Sequence, residues 1–107
     1  MKKLWVFGDS YSEPYDGEFS KFYWSLNYLN WKGYTPKNYT QILSDKLNCE
    51  LMNFSMTTSN NNQIFQTFCD NIENIDVNDI IIIQWTEYYR FRLINDDGKW
   101  ENPRFTF

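Results

Sequence analysis

The sequence predicts an α/β fold in three layers, with a parallel sheet between helices. Two observations carry this. The runs Leu4-Trp5-Val6-Phe7 and Ile80-Ile81-Ile82-Ile83-Gln84-Trp85 are apolar with little alternation, the pattern of strands buried on both faces. Between them, two stretches of helical periodicity flank one further strand-like run. Strand, helix, strand, helix, strand with short joins requires right-handed crossovers and parallel pairing, and the first strand is expected between the other two.

The elements follow in chain order. The first strand, residues 4–7, stops at Gly8. A first helix near 36–47 opens at Thr35-Pro36, a capping residue followed by proline at the first helical position. Its Tyr39, Ile42, Leu43 and Leu47 share one face, and Asn48 suits a left-handed stop. Leu51-Met52-Asn53-Phe54 marks a second strand, near 50–54, the least apolar of the three. A second helix near 60–75 opens at Ser59 or Asn60, with Ile64, Phe65, Phe68, Ile72 and Ile75 as its inward stripe. The third strand, near 79–85, is too short for a helix and too apolar for a sheet edge. Residues 11–34 read as a long connection dense in aromatic rings, and the tail from Tyr88 as a hairpin turning at Asn95-Asp96-Asp97-Gly98.

Composition narrows the function. The chain has 107 residues, 10 Lys+Arg against 14 Asp+Glu, and no His. A formal charge of −4 offers no electrostatic footprint for a nucleic acid. Without His, an unaided Ser–His–Asp triad is impossible, and two cysteines cannot supply a four-ligand zinc site. Nine Phe, eight Tyr and five Trp must carry much of the burial, at about 150–250 Å² each. Cys49 and Cys69 lie in different elements, and free thiols are expected. The apolar stretch after Met1-Lys2-Lys3 ends at Gly8, too soon for a signal peptide, and no run is long enough for a membrane span. The expected setting is the cytoplasm or a viral or phage particle.

In an open parallel sheet, ligands bind beyond the carboxyl ends of the strands. Those ends read Gly8-Asp9-Ser10, then residues 53–60, then Gln84-Trp85-Thr86-Glu87, all polar and rich in hydroxyls. Ser10 directly after a tight glycine turn could present both its hydroxyl and its backbone N–H to the crevice.

Val6-Phe7-Gly8-Asp9-Ser10-Tyr11-Ser12 resembles the first block of the SGNH (GDSL-type) hydrolases, whose Gly-Asp-Ser follows the first strand. Residues 53–60 are similar to the family's second block, and residues 80–87 sit where its third block follows the third strand. The resemblance implies a flavodoxin-like three-layer sheet and a serine esterase or acyl-hydrolase acting on a small-molecule, carbohydrate or lipid ester. It implies Ser10 as nucleophile and, through its N–H, as an oxyanion donor. Thr58 stands at the family's second-block glycine and would give a further N–H. The family's third-block Asn is replaced here by Trp85-Thr86-Glu87, so Asn60 or Thr86 would supply the side-chain donor or touch substrate. Asp9 would orient the turn. The family's Asp-x-x-His block has no counterpart. Residues 1–107 are therefore expected to be the N-terminal portion of one such domain, incomplete at its C-terminus and covered by a partner chain or a missing C-terminal half. A catalytically inactive binding or structural module of a larger, viral assembly is the alternative. A flavodoxin-like small-molecule binder fits less well, because the first loop lacks a glycine-rich phosphate cradle.

Other residues carry plainer readings. Asn60 doubles as a helix cap. Glu13, Asp16 and Glu18 read as a solvated loop, Asp96-Asp97-Gly98 as turn chemistry, and Arg90 and Arg92 either as contacts for an anionic substrate or as water-facing strand residues. No cofactor, metal, nucleic acid or membrane is expected.

Overall fold

A computed structural model describes residues 1–16, 23–57, 59–87, 93–94 and 96–101. Strand β1 (Lys3–Phe7) is followed by helices α1 (Tyr23–Lys32) and α2 (Tyr39–Leu47) and strand β2 (Glu50–Asn53). Helix α3 (Asn61–Asn71) runs into a single 3-10 turn (Ile72–Asn74) before β3 (Ile80–Ile83). A short β4 (Leu93–Ile94) and β5 (Trp100–Glu101) pair antiparallel, with Leu93 opposite Glu101. The main sheet has the order β2-β1-β3 and both pairings are parallel, with Trp5 beside Met52 on one side and Ile81 on the other.

The central place of β1 explains its unbroken apolar run: Leu4, Trp5, Val6 and Phe7 are all buried. Trp5 and Phe7 share one face, where they meet Ile64 of α3, and Met52, Phe68, Ile75 and Ile83 pack around them. The rings of Trp5, Phe7 and Phe54 lie nearly parallel, while Phe68 meets Phe7 edge-on at 5.6 Å. Below the sheet, at its amino edge, the Asp79 carboxylate accepts from the Trp5 indole (2.9 Å) and from the backbone N–H groups of Lys3 (3.0 Å) and Asp76 (2.9 Å). The indole bond first, then those N–H groups, hold its pKa below the ordinary carboxylate range.

Several expectations need correction. Among the described residues β3 is an outer strand, and Ile81 is exposed. Helix α2 starts at Tyr39, not after Pro36, because Asn38 forms a capping box: its Oδ1 accepts from Thr40 and Gln41 N–H, and Gln41 Oε1 accepts from Asn38 N–H. The face of α2 turned inward is that of Thr40 and Ser44, leaving Tyr39, Ile42 and Leu47 exposed. Polar bonds from Asn38 and Thr40 set this rotation, as described below. On α3, Ile64 is buried and Phe68 partly so, but Phe65 and Ile72 face outward. Asn48 does end α2 in the left-handed region, at φ 53°.

Residues 23–32, read as connection, form α1. Its apolar residues fall on no single face, and Leu26, Leu29 and Trp31 are exposed, so no periodic signal marks it. Gly33, at φ 81°, ends it, donating to the Leu29 carbonyl at 2.7 Å. Tyr88, Arg90 and Arg92 lie outside the described residues. Cys49 and Cys69 are free thiols. Among the described residues no helix is long and apolar enough to cross a membrane.

Candidate active site

The carboxyl ends of the three strands are joined beyond the strands themselves. Phe54 and Met56 N–H donate to the Val6 and Gly8 carbonyls, and Gln84 N–H donates to Phe7. The chain leaving β1 therefore emerges between two fixed neighbours. It turns at once: Ser12 N–H returns to the Asp9 carbonyl at 3.1 Å, with Ser10 and Tyr11 at the corner. Asp9 is buried, and its Oδ1 accepts from Tyr11 N–H at 2.9 Å, an Asx turn that holds the corner from inside. Ser10 is half-buried at that corner.

This turn is anchored from three other elements. Gln84, just past β3, accepts at Oε1 from Asp9 N–H (3.3 Å) and Ser12 Oγ (2.7 Å). Since that oxygen only accepts, Ser12 donates to it and Tyr39 donates to Ser12 Oγ at 2.5 Å. The Ser12 carbonyl accepts from Asn38 Nδ2 (2.9 Å) before α2 and from Asn53 Nδ2 (2.7 Å) at the end of β2. Asn53 also reaches Thr40 Oγ1 and, through Oδ1, Ser55 N–H. Gly8 is a matter of space: a Cβ there would lie 2.7 Å from Gln84 Oε1.

The loop after β2 is tied to the same turn. Glu13 is buried and accepts both the N–H (2.8 Å) and the hydroxyl of Thr57. Thr58, expected as an oxyanion donor, lies outside the described residues, directly after this anchor. Asn60 is buried, and its Oδ1 caps α3 through Gln63 N–H at 2.8 Å. The neighbouring Asn61 makes two bonds to Thr86, accepting from its N–H (2.8 Å) and donating to its carbonyl (3.2 Å). Ser55 Oγ is buried with no hydrogen-bond partner among the described residues.

Beside the Ser10 corner opens a cleft of about 300 Å³, lined by Asp9, Tyr11, Gln84, Trp85, Thr86 and Glu87. The two neighbours of Ser10 in the chain thus meet the third strand's end in one crevice. Thr86 Oγ1 donates to Glu87 there. Among the described residues the lining includes two carboxylates and no cation. Glu18 lies outside the described residues, among which no group of His, Cys, Asp and Glu could hold a metal ion.

Sequence reasoning gave roles to Asp9, Ser10, Thr58, Asn60 and Thr86, but no anchoring role to Ser12, Asn38, Asn53 or Gln84, and it read as solvated the Glu13 that is buried here. Only Asn38 carried a readable local signal, the Asn-x-x-Gln spacing of its capping box. No protein-family model matches the chain, and no curated protein or solved structure matches it.

Proposed function

We propose that the chain is the N-terminal portion of an SGNH-type serine ester hydrolase domain. The observation that supports this best is the Gly8-Asp9-Ser10 turn: it leaves the central strand of a parallel sheet, is pinned from three other elements, and borders a cleft. A pinned turn is what an oxyanion donor requires, because its N–H must already point at the charge that develops.

In this reading Ser10 Oγ attacks the ester carbonyl while a general base takes its proton. The N–H groups of Ser10 and Thr58 hold the tetrahedral oxyanion, and Asn60, beyond its capping role, offers its amide to substrate. The alcohol leaves with the proton from the base, and water then releases the acid and restores the serine. The sequence has no His, so the imidazole must come from outside these 107 residues, from a C-terminal continuation or a partner chain. The same lack of a base favours the second reading, an inactive binding or structural module on this scaffold.

One experiment separates them. The product of the natural reading frame is treated with a fluorophosphonate, mapped by mass spectrometry, and assayed on a p-nitrophenyl ester. Expected are a label on Ser10 and hydrolysis that falls at least roughly 10³-fold in Ser10→Ala. Hydrolysis by the 107-residue chain alone should be negligible. No label on Ser10 and no hydrolysis above the Ser10→Ala background favours the inactive module instead.

A further inference from the structure

We infer that the cleft beside Ser10 is a subsite for one neutral sugar ring, stacked on Tyr11 and Trp85 and hydrogen-bonded by Gln84, Thr86 and Glu87. As a statement about substrate it rests on the esterase reading, which left carbohydrate and lipid esters open; as a statement about binding it does not.

Five observations carry it. Tyr11 and Trp85 line the cleft yet are 73% and 53% exposed, so two large amphipathic rings stand in water where a ligand in the cleft would cover them. The platform under Trp85 is fixed on both sides: Gln84 N–H is bonded to Phe7, and both backbone groups of Thr86 are bonded to Asn61. Such a ring needs little ordering when a ligand arrives. The remaining lining is carboxyl, amide and hydroxyl, to which an acyl chain offers no hydrogen bond and sugar hydroxyls do. Among the described residues both charged members of the lining, Asp9 and Glu87, are acidic, which disfavours uronates, sialates and sugar phosphates. At about 300 Å³ the cleft stands at the small end of ligand sites, room for a ring rather than a long chain. An O-acyl group on that ring would lie towards the Ser10 corner.

The test is a binding measurement on the product of the natural reading frame. It uses an array of immobilised neutral oligosaccharides (hexose, pentose and N-acetylhexosamine series), acidic oligosaccharides, and vesicles carrying a decanoyl ester. Neutral glycans should be retained over acidic ones and vesicles. Trp85→Ala and Tyr11→Ala should each weaken retention about tenfold or more, and Trp85→Phe should keep most of it. Ser10→Ala should keep the binding while losing the fluorophosphonate label. Retention of acidic glycans or of vesicles alone, retention of nothing on the array, or indifference to both rings overturns the subsite. Neutral-glycan binding without any label on Ser10 sinks the esterase reading and leaves the subsite standing. A labelled Ser10 with no glycan retained does the reverse.

Discussion

Gly8→Ala tests whether the turn at Ser10 is as tightly seated as its contacts imply. The added methyl would stand 2.7 Å from Gln84 Oε1, 3.0 Å from Ser12 Oγ and 3.1 Å from Gln84 Cβ. Gln84 Oε1 can swing away, but only by giving up its bonds from Asp9 N–H and Ser12 Oγ. Ser12 cannot retreat, because Asn38 and Asn53 hold its carbonyl. Overpacking of this kind costs about 1–3 kcal/mol, and each lost hydrogen bond about 0.5–1.5 kcal/mol. A loss of about 2–4 kcal/mol is expected. With a urea slope of about 2 kcal/mol/M, the unfolding midpoint should fall by about 1–2 M. In a Gln84→Ala background the nearest obstacle is gone while Ser12 Oγ and the Cβ of residue 84 remain, so the same methyl should cost less by about 1 kcal/mol or more, read as the coupling in the double-mutant cycle. Equal costs in the two backgrounds, or an unmoved midpoint, would refute the seating argument.

Three further outcomes follow from single residues. Asn38→Ala removes the α2 cap and one support of the Ser12 carbonyl, so it should cost about 1–2 kcal/mol and lower Tm by at least about 4 °C; an unchanged Tm would show that the cap is not needed. Asp79 has its pKa lowered in the fold, so the unfolded chain binds the proton more tightly and the stabilisation is present at neutral pH and lost as pH falls below about 4. The Tm gap between wild type and Asp79→Asn should therefore close in acid, and a gap constant from pH 7 to pH 2.5 contradicts the assignment. Ser55→Ala deletes a buried hydroxyl without a partner among the described residues and should be neutral or stabilising by up to about 1 kcal/mol in urea melts; a clear loss would mean the hydroxyl is bonded.

The sheet was legible because its signal is local. A short run that is apolar at every position suits a strand covered on both faces, and β1 is one: Leu4 and Val6 are buried on one side, Trp5 and Phe7 on the other, whereas the like run of β3 forms a strand but leaves Ile81 exposed. The helices were legible in place but not in rotation. A periodic stripe fixes a helix face only when apolar burial is what decides the packing. On α2 the deciding contacts are polar: Asn38 to the Ser12 carbonyl and Thr40 to Asn53 turn Tyr39 and Ile42 outward. For α1 the signal failed at the source, because a helix with its leucines opposite its aromatic rings has no single apolar face to read.

The site divides along the same line. Gly8, Asp9 and Ser10 stand together in the chain, so a tight turn after a strand could be read directly, down to the Asx bond of Asp9. What holds that turn could not be read, because each anchor reaches it from far along the chain: Asn38 across 26 residues, Asn53 across 41 and Gln84 across 72. Taken singly, Asn38 is a helix cap, Asn53 the end of a strand, and Gln84 a polar residue after four isoleucines. Their meaning lies in convergence on one carbonyl and one hydroxyl of Ser12. A surface loop needs no such convergence, since its backbone groups can turn to water. Bonds from three elements, two donated by Asn38 and Asn53 and two accepted by Gln84, with a glycine kept where a methyl would collide, hold the turn in one place, as the role proposed for Ser10 requires. That is why the Ser10 corner, rather than the more exposed polar turns of the chain, is where chemistry is to be sought.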